Sequence, residues 1–186
     1  CVPFETVAEY NQEKNHEIFK HPLVYIFHDV IDKTGHDGNA KQIVNSCRDA
    51  ITELKRMIPT IHASYSVTEV YVTSDHGFLF NDIMFADKDK HKIEEDYLER
   101  STRYYLTKSK DEVSGVVKFP LSEVSGMVNV DDVMVAVPKG TNRFAAPSGG
   151  YMFTHGGAAL QELIIPVITS RLERDDNKPM GGVMIL

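Results

Sequence analysis

Three stretches in succession leave this chain few folds to choose from. Leu23-Val-Tyr-Ile-Phe27 is a continuous apolar run, bounded by the break at Lys20-His-Pro22 and by His28-Asp29. Ala40, Ile43, Val44, Cys47, Ala50, Ile51, Leu54 and Ile58 then recur at three- and four-residue steps, the period of one helix face, and Pro59 marks its end. Val67 to Thr73 is again apolar and β-branched. Strand, helix and strand in that order predict a βαβ unit, with parallel strands and a right-handed crossover. The unbroken apolar run in the first strand predicts burial on both faces. The expected fold is therefore α/β, a mainly parallel sheet flanked by helices.

The remaining segments attach to that unit. Phe4, Val7, Ala8, Ile18 and Phe19 predict one or two surface helices before Pro22. Residues 81–100 are dense in charge and predict a solvated helix or a mobile loop. Arg103-Tyr-Tyr-Leu106, Gly115 to Pro120 and Val133 to Pro138 are short strand-like pieces. They predict a small inserted antiparallel β subregion, or cap, at about residues 81–150 of one domain covering 1–186. Ala158 to Leu163 suits a short helical turn, and Ile164 to Thr169 a strand whose Pro166 favours an edge or a bulge.

Bulk properties narrow the function. A chain of 186 residues suffices for a domain with a real core. It does not begin with Met and reads as a piece of a longer protein. Cys1 and Cys47 make no disulfide framework, which predicts a reducing, cytoplasmic setting. No run of about 18 apolar residues predicts a membrane span. The net charge of -7 argues against a generic polyanion-binding domain. It leaves room for a nucleotide or phosphodiester held by metal ions, whose charge would be the local positive one.

Asp and His cluster where strands should run out into loops, the place at which ligands bind in open α/β sheets. Asp32-Lys-Thr-Gly-His36 follows the first strand, Ser74-Asp75-His76-Gly77 follows the second, and His155-Gly156-Gly157 precedes the last. In a βαβ unit the loops at 28–38 and 74–78 open at the same end of the sheet. Mixed carboxylate and imidazole sets suit Zn²⁺ or Mn²⁺, and two adjacent ions clamp both oxygens of a phosphoryl transfer. Each block also has a plain reading: Asp32 as a helix cap, His36 as an exposed loop histidine, and the other two as turns.

The blocks together resemble the alkaline phosphatase superfamily, with its phosphodiesterases and cofactor-independent mutases. Tyr25 to Gly35, Thr73-Ser-Asp-His-Gly-Phe-Leu79, and His155-Gly-Gly-Ala-Ala-Leu-Gln-Glu-Leu-Ile-Ile-Pro166 are similar to the PglZ domain of bacterial phage-resistance systems of the BREX and Pgl type. The resemblance runs from about Leu23 to Val167. It implies a partial alkaline phosphatase-like fold and two divalent ions, Zn²⁺ or Mn²⁺. Asp32, His36 and His155 match the ligands of one ion, and Asp75 and His76 those of the other. Where the family pattern reads Gly-Asp this chain reads Gly35-His36-Asp37, so either His36 or Asp37 is the ligand there. His28 and Asp29 are weaker candidates for ligands or for groups that orient them. Arg143 suits a substrate phosphate or, as the plainer reading, a surface salt bridge.

The resemblance also implies that the nucleophilic Ser or Thr, a further metal-binding Asp and the first central strand lie upstream of Cys1. The catalytic group is then absent from this chain, which is expected to be inactive alone and to associate with itself through an unpaired strand edge. The implied function is a metal-dependent phosphoesterase or phosphodiesterase acting on a nucleic acid, nucleotide or other phosphoester beside further defence components. The alternative is a degenerate, non-catalytic module in a defence complex.

Overall fold

The computed structural model describes residues 1–9, 11–36, 42–82, 90–126, 130, 132–145 and 152–173. In chain order the elements begin with β1 (Val2–Pro3), α1 (Phe4–Ala8), α2 (Gln12–Phe19), β2 (Ile26–Phe27), α3 (Val30–His36), α4 (Ile43–Tyr65) and β3 (Glu69–Thr73). There follow β4 (Leu79–Phe80), β5 (Lys90–His91), β6 (Glu99–Arg100), β7 (Tyr105–Thr107), β8 (Val116–Pro120) and α5 (Leu121–Ser125). The last are β9 (Met134–Pro138), β10 (Arg143–Phe144), β11 (Phe153–Thr154), α6 (Leu160–Leu163) and β12 (Val167–Arg171). The chain divides into two compact units: Cys1–His28 with Asp49–Val72 and Val167–Leu186, and Asp29–Arg48 with Thr73–Pro166. No helix among the described residues is long and apolar enough to cross a membrane.

The first unit packs Phe4, Val7, Met57 and Ile61 into one core, with Val2, Phe19, Ile26, Leu54, Val67 and Val70 against it. β1 and β2 pair in parallel, while β3 takes β12 as its neighbour. Buried polar groups are met: Asn15 Nδ2 donates to Val7 O at 3.0 Å and to the Tyr65 hydroxyl at 3.1 Å. His62 joins the end of α4 to the strands, Nδ1 to Val67 O at 2.6 Å and Nε2 to Ser170 Oγ at 2.9 Å.

Three expectations change here. Among the described residues the first strand is not buried on both faces: Leu23, Tyr25 and Phe27 are 68%, 63% and 61% exposed, while Ile26 packs against the core. Pro59 does not end its helix, which runs on to Tyr65. An internal proline costs about 3 kcal/mol. Burial of Ile61 beyond it offsets about 1.5–3 kcal/mol, and Tyr65 adds its stack on Phe19 at 4.8 Å. The buried stripe is Ile43, Ala50, Met57 and Ile61, with Val44 and Ile51 facing solvent, so the helix is rotated relative to the predicted face.

The second unit carries most of the antiparallel pairing. β6, β7, β9 and β8 form one four-stranded antiparallel sheet in that order, around Tyr105, Val116, Ala136 and Phe144. β7, β8 and β9 fall on the three strand-like pieces of the sequence, while β6 comes from the charged segment before them. β10 and β5 pair in parallel, and β11 pairs antiparallel with β4, Thr154 opposite Leu79. Of the charged 81–100 segment, residues 83–89 lie outside the described residues, and 90–100 hold two short strands and no helix. The described strands thus make small sheets of both kinds and not a mainly parallel one. The apolar runs are satisfied locally, with two to five residues per strand.

Candidate metal centre

Residues 28–38 read as a loop in the sequence, yet Val30 to His36 is helical as α3. Asp32 and His36 therefore stand one turn apart on the same face, where side chains four residues apart meet. Glycine inside a helix costs about 1 kcal/mol relative to alanine, and Gly35 is here for another reason. A Cβ on it would lie 2.3 Å from Cδ1 of Phe153, so only glycine lets α3 approach β11. Thr34 donates to Val30 O at 2.7 Å and accepts from Ser46 Oγ at 3.1 Å, which ties α3 to the start of α4.

The β11–β4 register does the second part of the assembly. Thr154 opposite Leu79 leaves His155 to leave the ladder beside the Asp75-His76-Gly77 loop. The His36 and His155 Nε2 atoms come to 3.0 Å of one another. Asp32 reaches both, Oδ2 at 3.4 Å from His36 Nε2 and Oδ1 at 3.4 Å from His155 Nε2. One ligand atom from each of Asp32, His36 and His155 lies within 4.8 Å of the others. His76 stacks on His155 with ring centroids 4.2 Å apart. Asp75 stands beside it, Oδ2 at 3.7 Å from His76 Nε2 and Oδ1 accepting the His76 N–H at 2.9 Å.

These residues fit a divalent cation on their own chemistry. Asp32 Oδ1 is shielded from solvent and takes no hydrogen bond, an unmet acceptor that a cation would satisfy. Burial above all holds His155 below the usual imidazole range, with His76 adding to the effect and Asp32 opposing it. It is therefore neutral at pH 7, the form that ligates. His76 Nδ1 lies 3.1 Å from Gly77 O, which can only accept, so the proton sits on Nδ1. Nε2 is then the ring nitrogen left toward Asp75, at 3.7 Å from its Oδ2.

The other described sequence candidates make contacts of their own. His28 pairs with Glu53 at 2.7 Å and meets Phe4 edge-on. Asp29 is exposed, its carbonyl accepting from Lys33 N at 3.0 Å at the start of α3. Asp37 lies outside the described residues. Arg143 is 1% exposed, a buried residue rather than a surface one. Burial first and Arg103 second lower its pKa to about 10, with Glu162 opposing.

Arg103 and Glu162 form a pair that the sequence does not predict, and both are buried. Their bidentate pair joins residues 59 positions apart, a distance no local pattern reveals. Its only sequence signal was the Glu that follows His-Gly-Gly.

An α/β domain with a candidate metal centre is what fold and site define. Residues 3–170 match the family model described as the BREX system PglZ alkaline phosphatase-like domain, and the chain belongs to that family. It is 27% identical over 179 residues to the alkaline phosphatase-like protein PglZ of Bacillus cereus (strain H3081.97), covering 94% of this chain and 20% of that protein. It is 32% identical over 162 residues to the alkaline phosphatase-like protein BrxZ of Escherichia coli O9:H4 (strain HS), covering 85% and 18%. The chain thus spans about a fifth of the length of these relatives. No solved structure matches it.

Proposed function

We propose that this chain carries the metal-binding part of a metal-dependent phosphoesterase or phosphodiesterase that works in bacterial phage defence. Asp32, His36 and His155 hold one divalent ion, Zn²⁺ or Mn²⁺, and Asp75 and His76 contribute to a second. The observation that carries the reading is the convergence of Asp32, His36 and His155 within 4.8 Å. Bound ions would supply the Lewis acidity and positive charge that phosphoester hydrolysis requires. The chain's own residues hold the ligand geometry: α3 sets Asp32 against His36, and Gly77 O keeps the His76 proton on Nδ1.

The attacking hydroxyl is assigned to a part of the protein outside these 186 residues. Of the hydroxyls beside the ligands, Ser74 donates to His76 O at 2.6 Å and Thr34 to Val30 O at 2.7 Å, while Thr154 Oγ1 is buried without a hydrogen bond. The engagement of Ser74 and Thr34 favours a second reading, a non-catalytic module in a defence complex. Exposed Leu23, Tyr25 and Phe27 support self-association of this chain, which light scattering against concentration would reveal.

Metal analysis of the full-length protein, with hydrolysis of bis(p-nitrophenyl) phosphate across divalent ions, tests the proposal. Bound metal and turnover that Asp75→Ala abolishes are expected. Metal without turnover points to the non-catalytic module, and absence of both ends the enzyme reading.

A further inference from the structure

Arg103 and Glu162 are 0% and 2% exposed. A buried ion pair is tolerated only where the remaining donors and acceptors are met. Here Arg103 Nε donates to Glu162 Oε1 at 2.8 Å and Nη2 to Oε2 at 2.7 Å. Arg103 also donates to Gly140 O at 2.9 Å and to Asn142 O. The carboxylate accepts two further N–H groups, Gly157 on Oε1 at 3.0 Å and Ala159 on Oε2 at 2.9 Å. Apolar side chains of similar volume would often stabilise the fold as well. Stability alone gives no reason for two charges here.

What the pair does is hold the histidine-bearing loops. The Glu162 side chain takes the N–H of Gly157, two residues past His155, and the Glu162 backbone carbonyl takes the N–H of Gly77 at 2.9 Å, one residue past His76. Both glycines are pressed against this anchor. A Cβ on Gly77 would lie 2.0 Å from Gln161 O, and one on Gly157 would lie 2.6 Å from Arg103 Nη2. Through Gly140 and Asn142, Arg103 also fastens the anchor to the chain between β9 and β10.

We infer that Glu162 is a positioning residue, and that with Arg103 it clasps the two loops so that His76 and His155 keep their spacing. The inference rests on the metal-site reading above for its purpose, but not for its geometry.

The test uses the full chain as wild type, Glu162→Gln, Arg103→Lys and, as a control that weakens the other core, Ile61→Val. Imidazole ¹⁵N signals are recorded without metal, and Zn²⁺ affinity is measured by competition with a chromophoric chelator. Glu162→Gln is expected to move the His76 and His155 signals, leave that of His62, and weaken Zn²⁺ binding by about 10–100-fold. Ile61→Val is expected to lower the melting temperature and change neither readout. Arg103→Lys keeps the charge but loses the fork; it carries the test if Glu162→Gln does not fold. A folded variant with wild-type His76 and His155 signals overturns the inference. So does unfolding of both variants, which would make the pair a determinant of the fold rather than of the loops. If the wild type takes up no Zn²⁺, the metal-site reading fails while the imidazole signals still decide the clasp.

Discussion

The rings of His76 and His155 lie one on the other, 4.2 Å between centroids and 12° between planes. Two imidazolium cations would repel at that separation, so the stack favours rings of which at most one is charged. Burial and the neighbouring His76 hold His155 neutral. A neutral His155 beside Asp32 is the form that ligates a cation.

Asp32 is the residue whose removal separates binding from stability. Its Oδ1 is an unmet acceptor, while the side chain as a whole is half-exposed. In buffer with EDTA, Asp32→Asn is expected to change stability by less than about 1 kcal/mol. Zinc at 100 times its dissociation constant should stabilise the wild type by about 2.7 kcal/mol and the variant far less. Urea unfolding with and without zinc measures both.

Gly77 should tolerate no side chain. Gln161 O, 2.0 Å from a built Cβ, belongs to the backbone and cannot swing aside. Gly77→Ala is expected to cost about 2–3 kcal/mol by overpacking. Gly126 has φ +64 and nothing within 4 Å of its Cβ position. Gly126→Ala then meets only the left-handed backbone penalty, about 1–2 kcal/mol. Equal losses in the two variants, by denaturant unfolding, would contradict the close approach.

Pro59 lies inside α4 rather than after it. Replacing it with alanine removes a cost of about 3 kcal/mol in the helix. The unfolded chain gains freedom worth about 0.4–1 kcal/mol against that. Pro59→Ala is therefore expected to stabilise by about 2 kcal/mol, seen as a higher urea midpoint with an unchanged slope.

What was legible in the sequence is what local pattern controls. The spacing of Asp32 and His36, the Ser-Asp-His-Gly turn and His155-Gly-Gly could be picked out as three blocks of one chemistry. Where the reading failed, a distant contact overrode a local rule. Gly35 made 28–38 look like loop, but Phe153 needs the space and α3 forms around it. Pro59 looked like a stop, but Ile61 and Tyr65 have partners beyond it. The apolar run Leu23 to Phe27 looked doubly buried, yet hydrophobicity does not say which side has a cover. The partner of Glu162 could not be read at all, because Arg103 enters from the antiparallel subregion.

Acid should expose the contribution of Glu162. Burial works to raise its pKa, but Arg103 and the N–H groups of Ala159 and Gly157 outweigh burial and hold it below 4.5. A carboxyl with a lowered folded pKa contributes stability above its unfolded value, lost as pH falls through the folded one. Glu162→Gln lacks that titration. In metal-free buffer the wild type should exceed the variant at pH 7 by about 3–5 kcal/mol, the cost of leaving a buried charge without its partner. The difference should hold down to about pH 4.5 and then shrink as the wild-type carboxylate is protonated. Urea unfolding of both proteins at pH 7, 5 and 3.5 measures it. A difference that stayed constant across that range would mean the carboxylate is not ionised in its pair with Arg103.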